Sequence, residues 1–244
     1  MDEAFLIEQN DSNYEEYSRI LQLKFHFYDL QKEYDSAIHI INQLDRLSVH
    51  YGDTIVRIKV LRERSAFNIK NGDTSIALDL LLEALFLAQE NKLEPTIGAL
   101  KLEIARAYES VNKTSLSLKY NLEAMALFKS QSDVQSLSRI YNNLGLVYDE
   151  LNKYDSAEYY YQLCYNISDS LGNPFGKSIS TLNIGLAAYR KKEFKRSIDL
   201  LNKVFPYFKS VSDDFGICLC YLNLCRNYHE IGLNEKALEL GLKA

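Results

Sequence analysis

The stretch NLGLVYDELNKYDSAEYYY, residues 143–161, carries Gly145 and Ala157 twelve residues apart, with Tyr148 between them and Tyr161 one helical turn beyond. Moving outward at one constant interval, Ala157 is one of six small residues in strict register: Ala37, Ala77, Ser117, Ala157, Ser197 and Ala237. The Gly145 position recurs as Phe25, Ser65, Ala105, Gly145, Gly185 and Cys225, small in five of six copies. A gap-free period held over six copies marks a solenoid, whose units cannot bury their apolar faces alone and must stack on their neighbours. Two small columns twelve residues apart mark two helices that approach closely. The set Tyr28, Asn68, Tyr108, Tyr148, Ala188 and Tyr228 adds an aromatic wedge in four copies, and Ile104, Leu144, Ile184 and Leu224 fill the position before the first small site. These are packing positions.

The run Leu144, Gly145, Tyr148, Ala157, Tyr161 and Cys164 resembles the helix-turn-helix signature of the tetratricopeptide repeat family, and the other copies match it in part. The 40-residue period departs from that family's commonest 34 and is similar to its longer-repeat subclass, found in peptide-pheromone sensors, spindle-orientation adaptors and bacterial signalling proteins. The resemblance implies an all-α, right-handed superhelical solenoid of antiparallel helix pairs, with a concave groove, lined by first helices, that holds peptides or partner proteins. It covers about five and a half repeats, starting near residues 18, 58, 98, 138, 178 and 218, behind an N-terminal extension or capping helix at 1–17. With no linker or low-complexity tract between copies, residues 1–244 are expected to form a single domain.

Helix starts are also written locally. Asp53, Asp133, Asn173 and Asp213 stand in register as N-caps, with Pro174 suited to the first helical position. The chain has only 3 Pro and 10 Gly, and most are expected at breaks.

A net charge of −5 argues against a nucleic-acid binder, which needs a basic face to release counterions. No run reaches the roughly 18 apolar residues of a membrane span, and Met1-Asp2-Glu3 lacks the basic start of a signal peptide. The expected location is cytoplasmic, or periplasmic if a leader precedes this chain. The four cysteines form no disulfide framework: Cys164 and Cys225 fill small packing slots, and Cys218 and Cys220 face different sides of a helix. Cys225 and His229 share a face but lack a third partner, so neither a metal nor a catalytic pair is expected. Gly172-Asn173-Pro174-Phe175-Gly176-Lys177-Ser178 falls one residue short of a phosphate-binding loop and has no strand before it. It is assigned to a turn. No cofactor and no enzymatic activity are expected.

The informative polar feature is a ladder with one rung per repeat: Asn143, Asn183 and Asn223. In the resembled family this face looks into the groove, where an amide offers both a donor and an acceptor to a peptide backbone. Equally, such amides can be spent on neighbouring repeats inside the stack. Helical offsets of three and four add Arg139, Leu146 and Asp149 in one repeat and Leu186, Tyr189 and Arg190 in the next, with Arg106 and Arg226 in line. This mixed surface suits an extended peptide with apolar side chains and an acidic group. Two functional classes follow: a non-catalytic protein- or peptide-binding scaffold, or the sensory part of a larger signalling or transcriptional regulator continuing past residue 244. The apolar run Leu238, Leu240, Leu242 further predicts a homodimer through the last repeat, or a cover from residues outside this chain.

Overall fold

The computed structural model describes residues 14–244, and most of the expected N-terminal extension, residues 1–13, lies outside them. The described residues form twelve helices and no strand. They are α1 (Tyr14–Leu30), α2 (Tyr34–His50), α3 (Thr54–Lys70), α4 (Thr74–Glu90), α5 (Glu94–Ser110), α6 (Thr114–Ser130), α7 (Val134–Glu150), α8 (Tyr154–Ser170), α9 (Pro174–Arg190), α10 (Phe194–Ser210), α11 (Asp214–Glu230) and α12 (Asn234–Gly241). Odd-numbered helices are the first of each repeat and even-numbered ones the second. Within each compact unit, three-residue connections leave consecutive helices no choice but to fold back on each other, and it is chiefly these sequential neighbours that pack.

The helix starts, Tyr14, Tyr34, Thr54, Thr74 and onward to Asn234, advance by one constant step, so each repeat consists of two halves of identical length. Each turn between them is built the same way. Its middle residue is left-handed: Lys32, Gly52, Gly72, Lys92, Asn112, Ser132, Asn152, Gly172, Lys192, Ser212 and Gly232 all have positive φ. After α8, for example, the N–H of Gly172 donates to the carbonyl of Asp169 at 3.0 Å and that of Asn173 to Ser168 at 2.8 Å, the paired bonds of a Schellman ending. The third turn residue then caps the next helix. Asp53, Asp133, Asn173 and Asp213 each accept from a backbone N–H three residues on, at 3.0 Å, and Pro174 opens α9. These caps start the first helices at 54, 134, 174 and 214; with those at 14 and 94, all six begin about one turn ahead of the repeat starts expected from the signature. Pro206 departs from the expected placement at breaks, sitting inside α10.

The six small residues of the second helices are all buried, from fully to 5% exposed. In the fifth repeat the predicted crossing is direct, because the Ser197 hydroxyl donates to the Gly185 carbonyl at 2.7 Å. In the fourth, Gly145 makes room for the ring of Tyr161 rather than for Ala157.

Contacts divide the chain into two compact units, 1–111 and 112–244. The core of the first joins Leu21 and Phe25 of α1 to Ala37, Ile40, Ile41 and Leu44 of α2 and Val60 of α3. The second holds Ala157, Tyr161 and Ile184 in one cluster, and Leu182, Leu201, Phe208, Cys220 and Leu224 among the members of another.

Candidate functional site

Within each unit, first helices of neighbouring repeats touch through polar side chains, and the partners stand one repeat plus one residue apart. In the first unit the Arg62 guanidinium grips Glu103 with two bonds, its Nε at 3.0 Å from Oε2. The equivalent pair in the second unit is Asn142 and Asn183, whose Nδ2 donates to the Asn142 Oδ1 at 3.0 Å. A second set of rungs lies toward the helix C-termini. Lys70 meets Asp29 at 3.2 Å in the first unit. In the second, Arg190 meets Asp149 at 3.9 Å and the Tyr189 hydroxyl donates to Glu230 at 3.4 Å.

The asparagine ladder therefore divides. Asn183 is engaged with the preceding repeat. Asn223 is 4% exposed, donates to the Leu219 carbonyl one turn back at 2.7 Å, and accepts from Arg226 at 3.5 Å. Asn143 is half-buried. Around them, Arg139 and Arg226 are exposed, Leu146 is 37% exposed, and Leu186 is half-buried against the neighbouring core. Burial holds the Asp149 carboxyl above its ordinary range despite Arg190, and its Oδ1 is buried without a partner. The second unit thus assembles Asn183, Asn223, Arg226, Asp149, Arg190 and Tyr189 into inter-repeat and local pairs.

Arg106 belongs to the first unit, where it borders a cavity of about 620 Å³ between α3 and α5. Leu81 of α4 also lines it, beside Ile58 and Ile69 of α3 and Ala107 of α5. Among the polar groups at its border are Lys59, Arg62, Glu63, Ser65, Glu103 and Arg106. Arg62 is committed to Glu103, and Lys59 donates to the neutral Gln22 amide at 2.5 Å. The Ser65 hydroxyl is buried and unpartnered. Sequence reasoning passed over this surface although its signal was in the ladder itself: Glu63 and Glu103 hold the same column that asparagine fills at 143, 183 and 223.

The remaining candidates take structural places. Gly172 and Asn173 form a turn and cap, as assigned. Cys225 lies against Gly241, whereas His229 pairs with Asn234 at 2.9 Å. Cys220 is fully buried, which pushes its thiol up to about 12. Among the described residues no cluster of three metal-binding side chains occurs, and no helix is long and apolar enough to cross a membrane.

Paired helices in this register, with small residues at each crossing, are the architecture that the signature at 144–164 implied, and residues 96–170 match the family model for the tetratricopeptide repeat. Residues 96–170 carry tetratricopeptide repeats. No curated protein matches it significantly. Among solved structures it is similar to BtubC from P. vanneervenii, at 17% identity and a TM-score of 0.65, covering 96% of this chain and 90% of that one. It is similar to a signal transduction ATPase with numerous domains, with a tetratricopeptide repeat sensor, from Pyrococcus horikoshii, at 15% identity and a TM-score of 0.76, covering all of this chain and 37% of that one. NprR in complex with its cognate peptide NprX matches at 15% identity and a TM-score of 0.69, covering 96% of this chain and 67% of that one. At these identities the likeness is one of fold.

Proposed function

We propose that residues 1–244 form a single repeat domain that is a non-catalytic scaffold, binding an extended peptide or a segment of a partner protein on the face presented by its first helices. The observation that carries this reading is the cavity between α3 and α5. Ile55 and Ile69 stand exposed along it, its Ser65 hydroxyl lacks a partner, and Arg106 stands exposed at its border. A surface that leaves both apolar area and a buried hydroxyl unsatisfied is stabilised by an occupant supplying both. The likeness in fold to NprR, solved with a bound peptide, supports the same reading. The sequence-derived set on the second unit, from Arg139 and Asn143 through Asn223 and Arg226, is proposed as a second recognition face. There Asn143, Leu146, Arg139 and Arg226 are among the residues with surface to offer, whereas Asn183 and Asn223 already have partners.

The likeness to a tetratricopeptide repeat sensor inside a signalling ATPase favours one further reading, that the scaffold is the sensory part of a larger regulator.

Selection from a phage-displayed library of linear peptides tests the proposal. The enriched pool is measured on the wild type, on Ala66→Trp, which fills the mouth of the cavity from an exposed position, and on Asn183→Ala. Ala66→Trp should keep the melting temperature and lose binding. Asn183→Ala should lower the melting temperature and keep binding per folded molecule. A library that yields no enriched peptide, or a pool indifferent to Ala66→Trp and to Ala substitutions at Asn143 and Arg139, overturns the scaffold reading.

A further inference from the structure

We infer that the cavity between α3 and α5 selects an aromatic side chain with a polar tip, Tyr or Trp, that stands next to an acidic residue in an extended peptide. The inference rests on the scaffold reading and specifies its ligand.

Shape comes first. The lining runs along α3 from Ile55 to Ile69, fourteen helical steps and so about 21 Å at 1.5 Å per residue. A slot of that length matches about six residues of extended chain, at roughly 3.3–3.6 Å each, and exceeds what a compact metabolite fills. Over a floor of buried Ile58, Leu81 and Ala107, Ile55 is 70% exposed and Ile69 38% exposed, so this exposed apolar surface rewards a large apolar group.

The polar demand is specific. Ser65 is 1% exposed and its Oγ has no hydrogen-bond partner. An aliphatic or phenylalanine side chain leaves this buried hydroxyl unpaired, whereas a phenol or indole N–H brings a partner on an otherwise apolar body.

Charge selects the neighbour. Arg62 is held by Glu103, with Glu63 beside it, leaving Lys59 and Arg106 as the two cations of the lining with no carboxylate bonded to them among the described residues. Three cations against two carboxylates give the lining a surplus of one positive charge on a chain whose net charge is −5. A carboxylate beside the aromatic residue meets that surplus through the Arg106 guanidinium, which is built for paired bonds to it.

Fluorescence anisotropy on synthetic, fluorescein-labelled nonapeptides of Gly and Ser tests this, with the central pair set to Glu-Tyr, Glu-Phe, Lys-Tyr or Glu-Ala. Glu-Tyr should bind tightest, at least tenfold above Lys-Tyr and Glu-Ala and severalfold above Glu-Phe. Arg106→Glu should invert the preference between Glu-Tyr and Lys-Tyr. Ser65→Ala should erase the Tyr-over-Phe difference while leaving the Glu-Phe affinity in place, which no loss of folding imitates. Glu-Tyr binding that is unchanged by Arg106→Glu overturns the inference, as does failure of all four peptides to bind. The scaffold reading stands apart from that result, since library-selected peptides sensitive to Ala66→Trp would still uphold it.

Discussion

Gly145 and Gly185 occupy the same position in successive repeats, yet alanine should act on them with opposite sign. A Cβ built on Gly145 falls 2.5 Å from Cδ1 and 2.7 Å from Cζ of Tyr161, inside the 3.0 Å that Cβ atoms do not enter. Tyr161 is 3% exposed and packed with Ala157 and Ile184, so its ring has nowhere to go. At Gly185 the facing residue is Leu201, and the same Cβ meets Leu200 and Leu201 at 3.5–3.7 Å, ordinary contact. Gly145→Ala carries an overpacking cost of about 1–3 kcal/mol, of which the better helix propensity of alanine returns about 1. Gly185→Ala has only the gain, about 0.5–1 kcal/mol. The two variants should differ by about 2 kcal/mol, overpacking being the larger effect.

Urea unfolding followed by circular dichroism reads this directly. Both sites lie in the second compact unit, and a denaturant slope of about 1–3 kcal/mol per molar turns the difference into a midpoint separation of roughly 1 M. The cycle Gly145→Ala with Tyr161→Leu imports the Leu201 solution, so the double variant should be more stable than the sum of the single changes predicts. Equal midpoints for Gly145→Ala and Gly185→Ala, or a cycle without coupling, would refute the close approach of glycine and ring on which the register rests.

The turns and caps give two further tests. Gly172 has a φ of +60° with nothing within 4 Å of an added Cβ, so Gly172→Ala should cost about 1–2 kcal/mol purely through backbone strain. Ser212→Gly, at a φ of 52°, should raise the thermal midpoint, and a neutral pair of variants would show that the turns carry no such strain. Asp133 accepts from the backbone N–H and hydroxyl of Ser136, and these bonds hold its carboxyl below the usual range. Because the folded value is the lower one, its contribution is full above the unfolded value of about 3.9 and is lost as pH falls through the folded value. Asp133→Ala should cost about 0.5–2 kcal/mol at about pH 7, with the gap to wild type closing on titration into acid. A gap that stays constant with pH would separate the cap from the charge.

The long period was legible because packing enforces it. No residue larger than alanine or serine stands at 37, 77, 117, 157, 197 or 237, and all six are buried. The half-period, one helix and its turn, was hidden because its marker is a backbone state rather than a residue type. Of the eleven left-handed turn positions only Gly52, Gly72, Gly172 and Gly232 are glycine. Lys32, Lys92 and Lys192 take the same conformation, because the hydrogen bonds closing each turn outweigh a strain of about 1–2 kcal/mol. A composition-based search for turns passes over lysine.

The site was half legible for a related reason. A comb set to the repeat length finds Asn143, Asn183 and Asn223, but adjacent first helices meet one residue off that comb, so it never shows what each amide faces. Within the second unit the preceding partners by that rule are Asn142 for Asn183 and Leu182 for Asn223. Within the second unit, where the partner is Asn142, the amide of Asn183 reaches across to it. Where it is Leu182, the amide of Asn223 turns back on its own helix to Leu219. Earlier in the column, Glu103 faces Arg62 and the pair closes with two bonds. That pairing commits the Arg62 guanidinium beside the cavity, which is why the proposed ligand is assigned an acidic group for Arg106, one turn further along α5 and with no carboxylate bonded to it among the described residues.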